Sequence, residues 1–310
     1  MRAVSTPVAN ARLASAPVSG TARAAWARAA ARRLARDWPA VFGLAVLALS
    51  IGAAIGAPAL APSDPVKNDL LARLTPPMWV AGGERAHPLG TDTLGRDVLS
   101  RLLYGARVSL LVGLATVVLA GAGGIALGLV AGYYRGWPDD LLMRLGDIQL
   151  AFPVLLLGVA LLSALGASLA NLIAVLALSS WVTYARIVRG ETLSLTEREF
   201  VAAARALGAG DGHVIGRHIL ANVWPPIIVV ATFSVARVII AEASLSFLGL
   251  GIPPPAPSWG GMLDEGKNYI TTGWWLALFP GVAILVVVLS INLVGDWLRD
   301  LLDPRLERGL

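Results

Sequence analysis

The sequence predicts an all-α polytopic membrane protein with six transmembrane helices, and three observations predict it. Of its 310 residues, 56% are hydrophobic and only 15% are charged, where a soluble domain carries about 25% charged residues; the mean hydropathy is +0.69. Five stretches hold no Asp, Glu, Lys or Arg: Asp37 to Asp64, Arg107 to Arg135, Asp147 to Arg186, Arg217 to Arg237 and Lys267 to Asp296. A helix crosses a bilayer with about 20 residues, so each stretch is long enough. The stretches are rich in Leu, Val, Ile and Ala without period-2 alternation, which selects helices over barrel strands.

Taken in order, residues 1–39 form a tail whose first 36 residues contain seven Arg and no acid. Such a segment superficially resembles an organellar transit peptide, but the apolar run after it is too long for a signal-peptide core. It reads instead as a disordered or surface-lying tail before a first span at 40–61. The segment 62–107 lies on the opposite side. From Leu94 onward, Leu94, Val98 and Leu102 share one face, with Leu99 and Leu103 beside them, while Arg96, Asp97, Ser100 and Arg101 fill much of the other. That pattern suits an amphipathic helix, either at the membrane interface or packed on the protein's own outer surface.

A core domain follows over 108–298. Its second span is 108–133. The next charge-free stretch is too long for one crossing, and Gly166-Ala167-Ser168 suits a tight turn, so it divides into spans at 142–165 and 168–188. The fifth and sixth spans are 222–248 and 271–296, and a short tail occupies 299–310. Between the last two spans, an external loop over 249–270 carries Pro253, Pro254, Pro255 and Pro257, which exclude regular helix there. Trp274 and Trp275 sit where interfacial aromatics belong.

Six spans place both termini on one side. Seventeen Lys and Arg then fall on the terminal side and seven on the other, with Arg237 inside a span. The positive-inside rule therefore puts both termini in the cytoplasm. The net charge of +5 reflects this topology, and no basic patch with interleaved aromatics suggests nucleic acid. Cysteine is absent and the three His are scattered, so no thiol chemistry and no metal site is expected. Residues Gly261 to Lys267 fit G-x-x-x-x-G-K, yet Asn268 follows where a phosphate loop needs Ser or Thr, and a proline-rich loop precedes instead of a strand. No catalytic residue and no cofactor site is expected in this chain, and any ATP energy must come from a partner.

Arg237 and Glu242 fall inside the fifth span, where a charge is costly unless paired or hydrated. They read as part of a translocation pathway or a subunit interface; the alternative is local pairing near the boundary water.

The loop at 190–222 is the longest excursion on the terminal side. Thr196-Glu197-Arg198-Glu199 has the capping-box pattern, with the Thr196 hydroxyl and Glu199 carboxylate satisfying reciprocal amides. A helix is expected from Glu197 to Leu207, ended by Gly208 in a left-handed conformation, and Asp211 is placed to cap a second short helix. Phe200, Ala203, Ala204 and Leu207 form a narrow apolar face suited to docking in a partner's groove, or to lying against the protein's own bundle. The glycines at 208, 210 and 212 follow a helix, so a dinucleotide-binding reading is weak.

At 201–222, VAAARALGAGDGHVIGRHILAN resembles the cytoplasmic loop of ABC importer permeases, E-A-A-x-x-x-G-x9-I-x-L-P. Aligned on Gly208, Ala203 and Ala204 match the two alanines and Leu220 the leucine; Ala202, His218 and Ala221 depart from it. HPLGTDTLGRDVLSRLLYGARVSL, AEASLSFLGLGIPPPAPSWGGML and NLVGDWLRDLLDPRL resemble the second permease subunit of dipeptide, oligopeptide and nickel importers. The resemblance implies the type I ABC importer transmembrane fold in a bacterial inner membrane. It implies a related second permease subunit, two cytoplasmic ATPase subunits that bind ATP and magnesium, and an external binding protein that delivers solute. The loop around 200–215 would carry ATPase motion into the spans. The alternative from another class is an ion-coupled transporter or channel, which would show inverted repeats or several intramembrane acids; no repeat is found, and Glu242 is the one candidate acid.

Overall fold

The structure, a computed structural model, describes residues 31–302. Most of the Arg-rich tail and the last eight residues lie outside it. Among the described residues there is no strand; the chain is helices and loops. Five helices are long and apolar enough to cross a membrane, and a pair of shorter helices, bent by 88° at the break between them, passes the same test together.

Helix α1, Trp38–Leu60, starts at Asp37, whose carboxylate accepts from the Ala40 amide at 3.1 Å. It is apolar all round, as a lipid-embedded helix should be, and it buries small residues. A Cβ on Gly43 would come within 2.8 Å of the Ser290 carbonyl oxygen, so α1 lies tightly against the last helix, α9, Trp275–Leu302. The start of α1 and the end of α9 therefore sit at one end of the bundle, here called the terminal end; the opposite end is the far end.

Helix α2, Val98–Tyr134, has 37 residues and reaches about 55 Å at 1.5 Å per residue, against a hydrocarbon core of about 30 Å. It fuses the segment expected as a separate amphipathic helix with the second span. The polar side expected to face water is instead buried: Arg96, Asp97, Ser100 and Arg101 are all within the protein. The reason is mutual satisfaction. Asp97 caps α2 by accepting from the Ser100 amide at 2.7 Å, and the two arginines meet carboxylates described below. Along its lower half, Gly124, Gly128 and Gly132 face α5, Leu169–Thr196. A Cβ at these positions would lie 2.5 Å from the Trp181 carbonyl oxygen, 2.6 Å from that of Ala185 and 2.7 Å from the Thr192 Cβ. Small residues at this spacing let helices pack backbone to backbone where no hydrophobic drive separates lipid from protein.

The segment expected as one helix at 142–165 is broken. Helix α3, Gly136–Leu150, and helix α4, Val154–Leu165, meet at Ala151-Phe152-Pro153. Proline has no amide hydrogen to donate and pushes the residue before it out of the helical region, so Pro153 ends one helix and begins another. Gly166, at φ 82°, then turns the chain, and the Ser168 hydroxyl accepts from the Asn171 amide at 3.1 Å to start α5. α5 runs eight residues past the expected end of its span, to Thr196.

After the short helix α6, Glu199–Ala206, the chain is helical from Asp211 to Leu250 except at Gly249, whose φ of 80° kinks its end. Its central part is α7, Leu220–Leu245, flanked by π-helical turns at Val214–Ile219 and Ser246–Leu250. Asp211 thus opens a long helix, and Pro225 and Pro226 fall within two turns of the wide π turn, where such irregularities cluster. The loop expected at 249–270 contains a further helix, α8, Trp259–Gly266, begun by Ser258. The G-x-x-x-x-G-K match lies mostly inside α8, which excludes a phosphate-cradling loop. One apolar core joins α2, α4, α5 and α7, and a second, at the terminal end, gathers Leu129, Tyr133, Val188, Val201, Val214, Ile219, Val223 and Ile227.

Candidate docking loop and the charged groups of the spans

The terminal-end loop is built differently from the expected capping box. The Thr196 hydroxyl donates back to the Leu193 carbonyl at 2.9 Å, within α5, so it is engaged by the preceding helix. Arg198 occupies the N-cap of α6 with no side-chain cap, and Glu199 is the first helical residue. Thr196 and Glu199 therefore do not cap one another. Glu199 still lies at the helix N-terminus, where a negative charge is favourable. Arg135, just past α2, donates to the Thr196 hydroxyl at 3.2 Å and to Glu197 at 3.0 Å, tying the end of α5 to the end of α2.

Helix α6 is anchored by Val201, which is fully buried among Leu195, Val214 and Ile219. The expected docking residues lie away from that anchor. Phe200 is 42% exposed and Leu207 89%; Ala203 is exposed and Ala204 half-buried. Phe200 leans on the His218 ring at 6.3 Å between centroids. Gly208 has φ 84°, and the Gly208 and Ala209 amides donate to Arg205 and Ala204 carbonyls at 2.9 and 3.0 Å, closing the helix end. Asp211 makes no cap. Its carboxylate accepts from the Tyr133 hydroxyl at 2.6 Å, and Arg205 stacks over the Tyr133 ring at 5.1 Å. Two contacts, Val201 in its apolar cluster and Arg205 over the Tyr133 ring, thus hold a short exposed helix to the bundle.

The two charges of the fifth span part company. Arg237 is exposed on this chain and donates to the Ser234 hydroxyl at 3.0 Å. Glu242 is fully buried, accepts from Ser246 at 2.8 Å, and lies beside Ser109 and Ser258. Glu242 is enclosed where α2, α7 and α8 meet, and its neighbours are hydroxyls, which can hydrogen-bond a carboxyl without adding charge.

Sequence reasoning missed three further groups. Val201 was hidden because an eight-residue helix offers two apolar flanks and either can turn inward. At the far end, Asp92, Arg96, Arg101 and Glu265 form a closed cluster. Arg96 donates to Asp92 at 2.6 Å and to Glu265 at 2.8 Å, and Arg101 donates to Glu265 at 2.9 Å and to Asp92. Glu265 is 164 residues from Arg101, a separation that sequence spacing cannot bridge. On the terminal side, α3 is joined to α5 by Arg189 with Asp139, Arg186 with Asp147, and Gln149 with Trp181 and the Leu178 carbonyl. Among the described residues, no group of His, Asp and Glu could hold a metal ion.

Residues 124–308 match the family described as binding-protein-dependent transport system inner membrane component, and residues 25–77 match the N-terminal TM domain of oligopeptide transport permease C. The di/tripeptide transport system permease protein DppC of Pseudomonas aeruginosa is 46% identical over 87% of this chain and 89% of its own length. The dipeptide transport system permease protein DppC of Alkalihalophilus pseudofirmus is 42% identical over 93% and 92%. The glutathione transport system permease protein GsiD of Pectobacterium atrosepticum is 44% identical over 73% and 75%. The inward-facing MetNI methionine ABC transporter superposes with a TM-score of 0.53 at 18% identity, over 66% of this chain and 96% of that one; it shares the fold.

Proposed function

Because the chain belongs to the family of binding-protein-dependent transport inner membrane components, as a permease subunit of an ABC importer, we propose that it moves short peptides by alternating access, driven through α6. Family membership sets aside the ion-coupled alternative. A short peptide is the solute class that the relatives of greatest coverage point to, since those named for dipeptides align over nearly all of the chain. The terminal end faces the cytoplasm in this reading, in a bacterial inner membrane. A second homologous permease completes the pathway, two ATPase subunits bind ATP and magnesium and hydrolyse it, and an external binding protein presents solute at the far end. This chain itself is non-catalytic.

The observation that carries the reading is α6. An exposed apolar helix needs a partner to cover it, and this one is fixed at its base. Burying a large apolar side chain such as Phe200 or Leu207 in a partner groove contributes about 1.5–3 kcal/mol. A lever must also resist deformation. The buried Val201 and the Arg205 stack on Tyr133 tie α6 to the bundle, while the Arg135 bridge and the Tyr133–Asp211 bond hold the segments on either side of it to the end of α2, so displacement of α6 moves these helices together. Ala203 and Ala204 leave room for close approach of the partner surface. Ala202, exposed on the same helix, offers no charge to that surface, so docking here rests on shape and apolar contact.

The test is co-purification of the assembled importer. Phe200→Asp should reduce recovery of the ATPase subunits about tenfold, the equivalent of about 1.4 kcal/mol, with a matching loss of uptake. Unchanged recovery and unchanged uptake would overturn the docking role of α6.

A further inference from the structure

Two cavities of this chain meet at Arg107. The upper one, of about 750 Å³, lies at the far end among the end of α1, the loop after it, the upper part of α2 and the loop before α8. Its polar side chains are Ser63, Asp64, Tyr104 and Arg107. The lower one, of about 720 Å³, is a groove lined mainly by α1, α2 and α7, with Ile51, Ile55, Leu111, Leu114 and Ile228 exposed in it. Apart from Arg107, the Trp224 indole and Thr232, every side chain lining the groove is apolar. The Thr232 hydroxyl is engaged within its own helix, donating to the Ile228 carbonyl at 3.0 Å. Together the cavities have the polarity of an amphiphile, charged above and apolar below.

The two charges stand where the apolar zone ends. Asp64 closes the charge-free stretch that begins at Asp37, and Arg107 opens the one that ends at Arg135. Both line one cavity, so they share a level, that of the headgroups of the far-side leaflet. From Arg107 to Val117 the groove follows α2 for ten residues, about 15 Å at 1.5 Å per residue. That is half of a hydrocarbon core of about 30 Å, the depth of one leaflet.

Neither charge is neutralised by the chain. Among the described residues Arg107 pairs with no carboxylate; its guanidinium lies over the Tyr104 ring, 5.9 Å from the centroid. Asp64 pairs with no cation, and its carboxylate accepts only from the Val66 amide, at 2.9 Å. The loop that carries Asp64 is fixed, because the Ser63 amide donates to the Ser100 hydroxyl of α2 at 3.1 Å. Asp64 and Arg107 thus line one cavity without closing on one another.

We propose that the two cavities together hold one phospholipid of the far-side leaflet, with an amino headgroup. Its phosphate meets Arg107, whose planar fork of donors suits phosphate oxygens. Its ammonium meets Asp64, and an acyl chain lies in the groove between α1, α2 and α7. Charge selects the lipid class: a headgroup with a phosphate and no ammonium would leave the Asp64 carboxylate uncompensated beside an anion. A protein partner would have to bring an acid to Arg107 and a base to Asp64 at one level, whereas a single zwitterionic headgroup carries both. Bound there, the lipid fills the space between the first span and the core. The site is independent of the solute carried.

The test places the assembled importer in nanodiscs of phosphatidylcholine that contain a trace of phosphatidylethanolamine with a photoreactive acyl chain. After illumination, adducts are mapped by peptide mass spectrometry. They should concentrate on groove residues 47–55 and 110–117, over the exposed apolar face of α9 at Val282, Leu285 and Leu289. Arg107 is exposed on this chain, so Arg107→Gln leaves the packing intact. It should lower groove labelling about tenfold, the loss that about 1.4 kcal/mol produces, and leave α9 unchanged. A phosphatidylglycerol probe with the same acyl chain should label the groove weakly, and more strongly in Asp64→Asn. Equal labelling of groove and α9, unaffected by Arg107→Gln, would mean ordinary bilayer contact and overturn the site. An unlabelled groove would mean that another subunit covers it, and would overturn the site as well. Equal groove labelling by the two headgroups would overturn the assignment of Asp64 to the ammonium.

Discussion

Two sets of arginine–carboxylate contacts stand on either side of this protein, and they differ in closure. At the far end, Arg96 and Arg101 are buried with Asp92 and share it and Glu265, which links the loop before α2 to α8. On the terminal side, Asp147 with Arg186 and Arg135 with Glu197 are exposed pairs. The chemistry is the same; the surroundings decide what it does. A buried network cannot lose a member without leaving a desolvated charge, so it acts as a fixed clamp. An exposed pair lets water replace either partner at little cost. The far end holds its loop still, while the terminal side keeps its charges available.

The comparison can be broken most severely at the clamp. Asp92→Ala strands Arg96 and Arg101 with half their partners, and should destabilise the protein by about 3–5 kcal/mol, seen as a large fall in thermal midpoint in detergent. A mild effect would mean that the far-end cluster is hydrated and no different from the exposed pairs. Next is the helix seam on which the terminal-side pairs are mounted. Gly128→Leu forces a side chain against the Ala185 carbonyl, 2.6 Å from where its Cβ must sit, and should cost about 1–3 kcal/mol by the same assay. Smaller still is Asp147→Ala, which should change stability by about 0–1 kcal/mol in the same assay. The least should come from Arg135→Ala, where the pair is exposed on both sides; a stability change within about 0.5 kcal/mol is expected in thermal scans.

Much of the bundle was legible because a bilayer imposes one rule, that apolar runs must be long, and charge-free stretches obey it visibly. Where that rule is silent the reading stopped. A charge-free run has no direction, so the 88° bend at Pro153 did not emerge from composition, although Pro153 itself was the signal. The third run begins only after Asp147, so a reading based on such runs separates Asp140 and Arg144 from the rest of α3. Thr196 and Glu199 match the letters of a capping box, but α5 continues through Thr196, and a hydroxyl engaged by its own helix cannot cap the next. Arg237 and Glu242 look alike in sequence; only the serines that gather around Glu242 from α2, α7 and α8 separate a buried carboxyl from an exposed guanidinium. For the docking loop, the exposed face of α6 and the turn at Gly208 followed from local spacing, whereas Val201 and the Tyr133–Asp211 bond depend on contacts that span the chain.

The measurement that bears most directly on the account is site-specific photo-crosslinking in the assembled importer, with the crosslinker placed in turn at Leu207 and Val201 of α6. The account predicts an adduct between position 207 and an ATPase subunit, and none to that subunit from position 201, which faces the permease's own core. An ATPase adduct from position 201, or its absence from position 207, would contradict it.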